Sequence, residues 1–307
     1  MVNDLNKLET PIVSVLMTSF NREDFIAEAI ESVLSSTYTD FELIICDDSS
    51  VDETVLIANK YAALDSRVKV FVNDKNLGDY SNRNKAASFA SGKYLKYLDS
   101  DDIIYPESLK IMVQHLENYP EAGYAFCDKL IQDNAMPFPI LYTSLQAFQQ
   151  HYLQYGFFYA GPGGTIIRKS VFESLGGFSG KRFLGDTELL MKISLKYAVL
   201  KIQPALIWWR IHNDQEANIE SRNPLIIAER YNLMCYFLRL SVLTDSEKSK
   251  AAIILDKMMA RNILRQMVIN MRFAVGFKMI KLTGFTIFDL IKAFYINNRL
   301  KKMWVSN

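Results

Sequence analysis

A repeated alternation along the first part of the chain restricts the fold more than any other feature. PIVSVLMTSF (11–20), FELIICDDSS (41–50), RVKVFVN (67–73), KYLKYL (93–98) and AGYAFCD (122–128) are runs of strand length, rich in apolar, β-branched and aromatic residues. Helical spacing fills the gaps between them. Phe25, Ile26, Ala29, Ile30, Val33 and Leu34 share one face, ETVLIANKYA (53–62) and DYSNRNKAASFAS (79–91) follow, and a further helix is expected from Pro106 to about Asn118. Asn21 is placed to cap the first of these, and Pro106 suits the first turn of the last. Near-continuous apolar strands separated by helices predict βαβ units, hence an α/β protein with a mostly parallel central sheet flanked by helices. Right-handed crossovers put the carboxyl ends of the parallel strands on one rim, where ligands of such sheets bind near a switch in strand order.

That rim is acidic. The first strand ends near Thr18, the second on Asp47 and Asp48, and the fourth runs into Asp99, Asp101 and Asp102. At an effective dielectric of about 20, two unit charges about 4 Å apart repel by roughly 4 kcal/mol. A divalent cation removes that repulsion, and an all-oxygen ligand set selects Mg²⁺ or Mn²⁺. A D-x-D pattern also arises in solvated loops that cap the following helix, and Asp102 fits that plainer role. The cluster as a whole reads as a ligand site because a central strand feeds it. The chain has no G-x-x-x-x-G-K-[ST], and its first strand turns through TSFNRE instead of a G-x-G-x-x-G, so P-loop and dinucleotide folds are set aside. GPGG (161–164) reads as a backbone bend, either beside a substrate or purely structural.

Charge divides the chain unevenly. Residues 241–307 hold 12 Lys/Arg against 4 Asp/Glu, a surplus of +8; the remainder has 23 against 30, or −7, which gives the overall +1. An acidic body argues against nucleic acid as a partner of the main site. The basic, apolar tail suits contact with an anionic membrane surface or self-association through residues 225–307. No signal peptide and no membrane span are read in the sequence, so a cytoplasmic protein is expected, peripheral on the inner face of the membrane where the tail meets lipid. Cys46, Cys127 and Cys235 are widely spaced and lie in apolar runs, which reads as buried free thiols in a reducing compartment.

In order, VSVLMTSFNRE (13–23), ELIICDDSS (42–50), NLGDYSNRNKAASFASGKYLKYLDSDD (76–102), GGTIIRKSVFESLGGF (163–178), GDTELLMKI (185–193) and WRIHNDQ (209–215) resemble the family 2 glycosyltransferases, in particular bacterial spore-coat and capsule polysaccharide enzymes. The resemblance covers about residues 12–215 and implies the GT-A nucleotide-diphospho-sugar transferase fold in 1–223, with a helical C-terminal extension in 224–307. It implies a metal-dependent inverting enzyme that moves a sugar from a UDP-sugar, or a dTDP-sugar, to a saccharide or lipid-linked acceptor, with Mn²⁺ or Mg²⁺ as cofactor. Carried over residue by residue, Thr18, Asp48, Arg83 and Asp99 match nucleotide-binding positions, and Asp101 matches the metal ligand. Asp186 matches the catalytic base, while Arg210 and His212 match a basic pair at the diphosphate or metal. Many members have Glu-Asp where this chain has Gly185-Asp186. His115 and His151 match no motif. The alternatives are a non-catalytic nucleotide- or carbohydrate-binding module and a metal-dependent nucleotidyltransferase. Joint retention of Asp48, Asp99, Asp101 and Asp186 weighs against the first, and the lack of a basic phosphate loop after the first strand against the second.

Overall fold

The computed structural model describes residues 10–127, 137–154, 156–212 and 223–295. Strands β1 (Val13–Ser19), β2 (Phe41–Asp47), β3 (Val68–Val72) and β4 (Tyr94–Asp99) alternate with helices α1 (Ile26–Leu34), α2 (Thr54–Leu64) and α3 (Asp79–Ser88). A short β5 (Ile103–Ile104) leads to α4 (Ser108–Asn118), β6 (Ala122–Cys127), β7 (Ile140–Tyr142) and α5 (Ser144–Gln149). Then come β8 (Thr165–Arg168), α6 (Lys169–Ser174), α7 (Gly185–Ser194), β9 (Ala198–Ile202) and β10 (Ile207–Trp208). Apart from the last two residues of α5, these elements belong to one compact unit, Met1–Ala147 with Phe157–Arg210.

Its eight-stranded sheet runs β3-β2-β1-β4-β8-β6-β9-β7. The pairs β1–β2, β2–β3, β1–β4 and β6–β9 are parallel, while β8 runs antiparallel to both its neighbours and β7 antiparallel to β9. Side chains alternate across a strand, so Val13, Val15 and Met17 join Leu43, Ile45, Tyr94 and Leu98 in one core with Ile26, Ile30 and Val33 of α1 and Leu109, Met112 and Leu116 of α4. Each of these fully buried side chains contributes about 1.5–3 kcal/mol relative to exposure. Tyr97 points to the opposite face, where its hydroxyl donates to the Arg83 carbonyl of α3 at 3.2 Å and its ring meets Phe172 and Phe178.

One local expectation is corrected. Asn21 does not cap α1: it takes a left-handed turn at φ 51° and its side chain accepts the Val51 N–H, so the helix begins at Ile26 without a side-chain cap. Among the described residues after 136, β7 and α5 are followed by a π-helical turn at Gln150–Gln154. Cys46 and Cys127 are buried and Cys235 is half-buried, all as free thiols.

A second unit comprises Phe148–Gly156 and Ile211–Asn307. It contains α8 (Pro224–Leu240), α9 (Asp245–Leu264), α10 (Phe273–Thr283) and α11 (Ile287–Tyr295). Asn223 caps α8, and Thr244 with Glu247 forms a reciprocal capping box at α9. Gly284 ends α10 in the left-handed conformation at φ 73°. Ala228, Met259, Ala260, Ile263, Met279 and Leu290 form its core. No described helix is long and apolar enough to cross a membrane.

The non-rim end of the sheet is held by a buried carboxylate. Glu42 accepts from Ser14 Oγ at 2.6 Å, from the Ser91 N–H and Oγ at 2.7 Å each, and from Lys69 Nζ at 2.7 Å. Burial alone would raise its pKa, but those donors outweigh it and hold the carboxyl at about 2, against an ordinary 4.5. Because the folded value lies below the unfolded one, the stabilisation is complete above the unfolded pKa and disappears as pH falls through about 2. Glu42→Gln should therefore cost about 2 kcal/mol at neutral pH. In urea melts, the gap from wild type should shrink as pH is lowered through the range below 4.5; a gap independent of pH would refute the assignment.

Candidate active site

Strand β1 lies between β2 and β4, with Ser19 opposite Asp47 and Thr18 opposite Asp99. The chain passes outward from β1 to β2 and β3, then returns to β4 on the other side of β1. The switch in strand order therefore falls at Thr18 and Asp99, where the crevice of a parallel sheet opens.

Each rim carboxylate has a defined partner. Asp47 is buried and accepts from Ser19 Oγ at 2.8 Å and from the Ser50 N–H and Oγ at 2.7 and 2.6 Å. Asp48, also buried, gathers the loop before α3: it accepts from Asn73 Nδ2 and the Leu77 N–H at 2.8 Å and from the Gly78 N–H at 2.9 Å. Gly78 sits at φ 84°, a conformation that only glycine takes without strain. From that loop α3 delivers Arg83, whose Nε pairs with Asp79 at 2.7 Å and whose Nη2 pairs with Asp99 at 2.6 Å. Burial opposes the Arg83 charge, but Asp79 and Asp99 raise its pKa well above the usual value. Its Nη1 is buried without a protein hydrogen-bond partner.

The turn after β4 is tied from two directions. Arg22 Nε pairs with Asp101 at 3.1 Å. The Arg210 N–H donates to Asp102 at 3.0 Å and its Nε to the Asp101 carbonyl at 2.9 Å, while its Nη2 pairs with Glu28. The Arg210 guanidinium lies over the rings of Phe25 and Trp208, 5.0 and 4.9 Å from their centroids. Asp102 departs from its expected solvated role: it is 3 % exposed, and burial together with the Asp99 and Asp101 charges pushes its pKa up to about 7, against the pull of the Arg210 N–H. His212 follows two residues after Arg210, at the start of the helical unit.

The later segments add a floor and a second carboxylate. Pro162–Gly164 forms a tight turn leading into β8. Lys96, fully buried in β4, donates to the Gly163 carbonyl and, at 2.6 Å, to the Tyr97 carbonyl. A Cβ on Gly163 would stand 3.7 Å from Asp102 Oδ2 and 3.6 Å from Trp209 Nε1, so this bend lies against the acidic turn. Asp186 is in the first turn of α7, where its carboxylate accepts the Thr187 N–H at 2.6 Å. Glu188 is buried and used locally by Ser179, Lys181 and Lys192. His115 bonds Gln203 at 3.2 Å, and His151 is buried beside Met234.

Thr18, Asp48, Arg83, Asp99, Asp101 and Arg210 thus stand along one rim, joined by the ion pairs and strand registers above. Sequence reasoning missed Arg22, Asp79, Tyr80 and Lys96. A lysine inside the apolar run YLKYL was a visible signal for the last; the others are ordinary polar or aromatic residues of a loop and a helix.

No group of three or more His, Cys, Asp and Glu side chains among the described residues is arranged to hold a metal ion. The donor chemistry fits a different arrangement. Mg²⁺-like ions commonly take one or two carboxylates and complete their shell with substrate phosphate and water. Asp99 and Asp101, on one turn at the switch point and at present satisfied by Arg83 and Arg22, suit an ion that arrives with phosphate.

Comparison with known proteins agrees with this geometry. The family model described as Glycosyl transferase family 2 matches residues 14–176. Among curated relatives, the UDP-Glc:alpha-D-GlcNAc-diphosphoundecaprenol beta-1,3-glucosyltransferase WfgD of Escherichia coli is 39 % identical over 102 residues, 33 % of this chain and 40 % of WfgD. The chain thus spans well under two thirds of that relative's length. Among solved structures, S. aureus TarS 1-349 in complex with UDP-GlcNAc superposes with TM-score 0.65 at 20 % identity, over 92 % of this chain and 81 % of that one. The mannosyltransferase PcManGT of Pyrobaculum calidifontis, solved with GDP-Man and Mn²⁺, gives TM-score 0.59 at 15 % identity, over 96 % and 89 %. At these identities the likeness concerns the fold, a mostly parallel sheet flanked by helices and extended by C-terminal helices.

The buried Arg83 makes the rim's stability testable. Arg83→Met removes the shared cation and leaves Asp79 and Asp99 facing each other's charge, which should cost about 3 kcal/mol. Urea denaturation at neutral pH checks this, and an unchanged midpoint would show that Arg83 does not hold the rim together.

Proposed function

Because the chain belongs to glycosyl transferase family 2, we propose that it moves a sugar from a nucleoside diphosphate donor to a hydroxyl of a saccharide or lipid-linked acceptor, with inversion at C1, in building a bacterial surface polysaccharide. One observation carries the reading: Asp99 ends β4 at the strand-order switch with Asp101 in the turn just beyond it, and α3 reaches that turn through Arg83 and, through Tyr80, the start of α7 that carries Asp186. Thr18 and Asp48 are proposed to receive the base. A carboxylate oxygen of Asp48 can accept the N3–H of uracil or thymine, so UDP and dTDP both fit. Arg83 offers its unpartnered Nη1 to the donor.

Chemically, the neutral acceptor hydroxyl needs a base, worth typically about 10²–10⁴-fold. Asp186 takes that proton as the hydroxyl oxygen bonds to C1. The C1–O bond to the diphosphate breaks in the same displacement, and its electron pair leaves on the diphosphate. Arg210 offsets the charge that develops there. A Mg²⁺ or Mn²⁺ ion held by Asp101 with Asp99 would supply Lewis-acid stabilisation of the same leaving group when bound.

Helical residues beyond 225 are proposed to meet an anionic lipid surface. Phe273 and Phe277 stand one turn apart on α10 and are exposed, with Arg272, Lys278 and Lys281 next to them or one turn on in sequence, and Ile287 and Phe288 of α11 are exposed as well. Apolar side chains flanked by cations match an anionic headgroup layer over an acyl interior.

Two experiments test these readings. UDP-glucose, UDP-galactose, UDP-GlcNAc and dTDP-glucose are each incubated with the protein, with and without Mn²⁺, and release of the nucleotide is followed. One donor should be turned over in a metal-dependent way. Asp186→Asn should lower turnover by at least about 10²-fold while UDP binding in the presence of Mn²⁺ persists, and Asp101→Ala should lose both. Binding without turnover of any donor would favour the non-catalytic module, and full activity in the Asp186 variant would remove it as base. For the tail, Phe277→Asp with Phe288→Asp should abolish sedimentation with phosphatidylglycerol vesicles. Unchanged sedimentation, or a loss of self-association instead, would contradict the lipid assignment.

A further inference from the structure

The start of a helix leaves its first backbone N–H groups without partners inside the helix. In α7 the residue before the helix, Leu184, offers no side-chain cap. The partner comes from another element, because the phenol of Tyr80 on α3 is hydrogen-bonded to the Asp186 backbone. Tyr80 is 6 % exposed. Burial, with the Asp186 and Asp79 charges, drives its pKa far up, so it stays a neutral hydroxyl at any working pH.

The Tyr80 ring also occupies the space above Gly185. A Cβ built on Gly185 would lie 2.8 Å from Cδ2 and Cε2 of Tyr80 and 2.9 Å from Cζ, closer than real contacts allow. Gly185 is not at positive φ, so room for the ring requires glycine here, and backbone conformation does not. Phe178 supports the ring with its own centroid 5.1 Å away. Three residues along α3, one turn further, Arg83 grips Asp99. A single short helix therefore holds both the end of β4 and the beginning of α7.

We propose that Tyr80 is the positioning residue for Asp186: its ring takes the place of a side chain at 185, and its hydroxyl fixes the first turn of α7 so that the Asp186 carboxylate is aimed at the acceptor hydroxyl. This rests on Asp186 acting as the base, as proposed above. The pairing also sets the distance between donor rim and base, since both are clamped to α3.

Four variants separate positioning from mere packing. Tyr80→Phe keeps the ring and loses the hydroxyl, Gly185→Ala drives a methyl into the ring, Tyr80→Ala empties that space, and Tyr80→Ala with Gly185→Ala adds the methyl without the conflict. Turnover is measured with the donor from the four above that wild type uses, UDP affinity by calorimetry with Mn²⁺, and melting temperature by calorimetric scan. Tyr80→Phe should lower kcat about tenfold or more, as expected for loss of one orienting hydrogen bond, with the donor KM and the UDP affinity unchanged. Gly185→Ala should lower both kcat and Tm, whereas adding it to Tyr80→Ala should lower Tm no further. Wild-type kcat in Tyr80→Phe, an equal rise in KM, or additive Tm losses would overturn the proposal. If wild type turns over none of the four donors, the functional reading is what has failed. The melting cycle then still decides whether Tyr80 and Gly185 hold the start of α7 together.

Discussion

Arg83 is the interaction on which the rest of the rim depends. Its guanidinium is buried between Asp79 and Asp99, with Tyr97 beneath it at 5.7 Å from the ring centroid. Without that cation, the end of β4 would place Asp99, Asp101 and Asp102 together in a partly desolvated turn, compensated by Arg22, Arg210 and the buried Lys96. Buried ion pairs are weak contributors to stability when weighed against apolar replacements, yet losing one partner is costly. Such a pair therefore suits a place where charge must be kept for chemistry, which is the role proposed for this rim.

Helix α3 turns that local pair into architecture. Asp48 gathers the backbone of Leu77 and Gly78 and so fixes where the helix begins. Its exposed-to-buried pattern then sends Tyr80, Asn82, Arg83, Ala86 and Ala87 inward. Asn82 joins Asn73 and the Cys46 carbonyl, Arg83 joins Asp99, and Tyr80 reaches α7. Residues far apart in sequence are thus brought to one rim by short-range contacts along ten residues of helix.

The strands were legible in the sequence because parallel strands buried on both faces are apolar nearly throughout, and β1, β2 and β4 fall inside the runs VSVLMTS, FELIICD and YLKYLD. The acidic strand ends were legible for the same reason: carboxylates that follow such a run abruptly mark the point where the strand leaves the core. Asn21 was misread because its side chain finds Val51, thirty residues away, instead of its own helix. Asp102 was misread because its partner is the backbone N–H of Arg210, over a hundred residues later. Tyr80 was invisible on similar grounds, since its role exists only where α3 meets Gly185. Periodicity carries elements and rims; it does not carry contacts between elements.

A crystal structure of the full chain with UDP and Mn²⁺ examines the central idea most directly. An anomalous manganese peak is expected at Asp101 with the uracil seated against Asp48 and Thr18, and the Asp186 carboxylate facing the open side of the diphosphate from a first turn of α7 still held by Tyr80. Manganese bound elsewhere, or Asp186 turned away from the bound nucleotide, would contradict it.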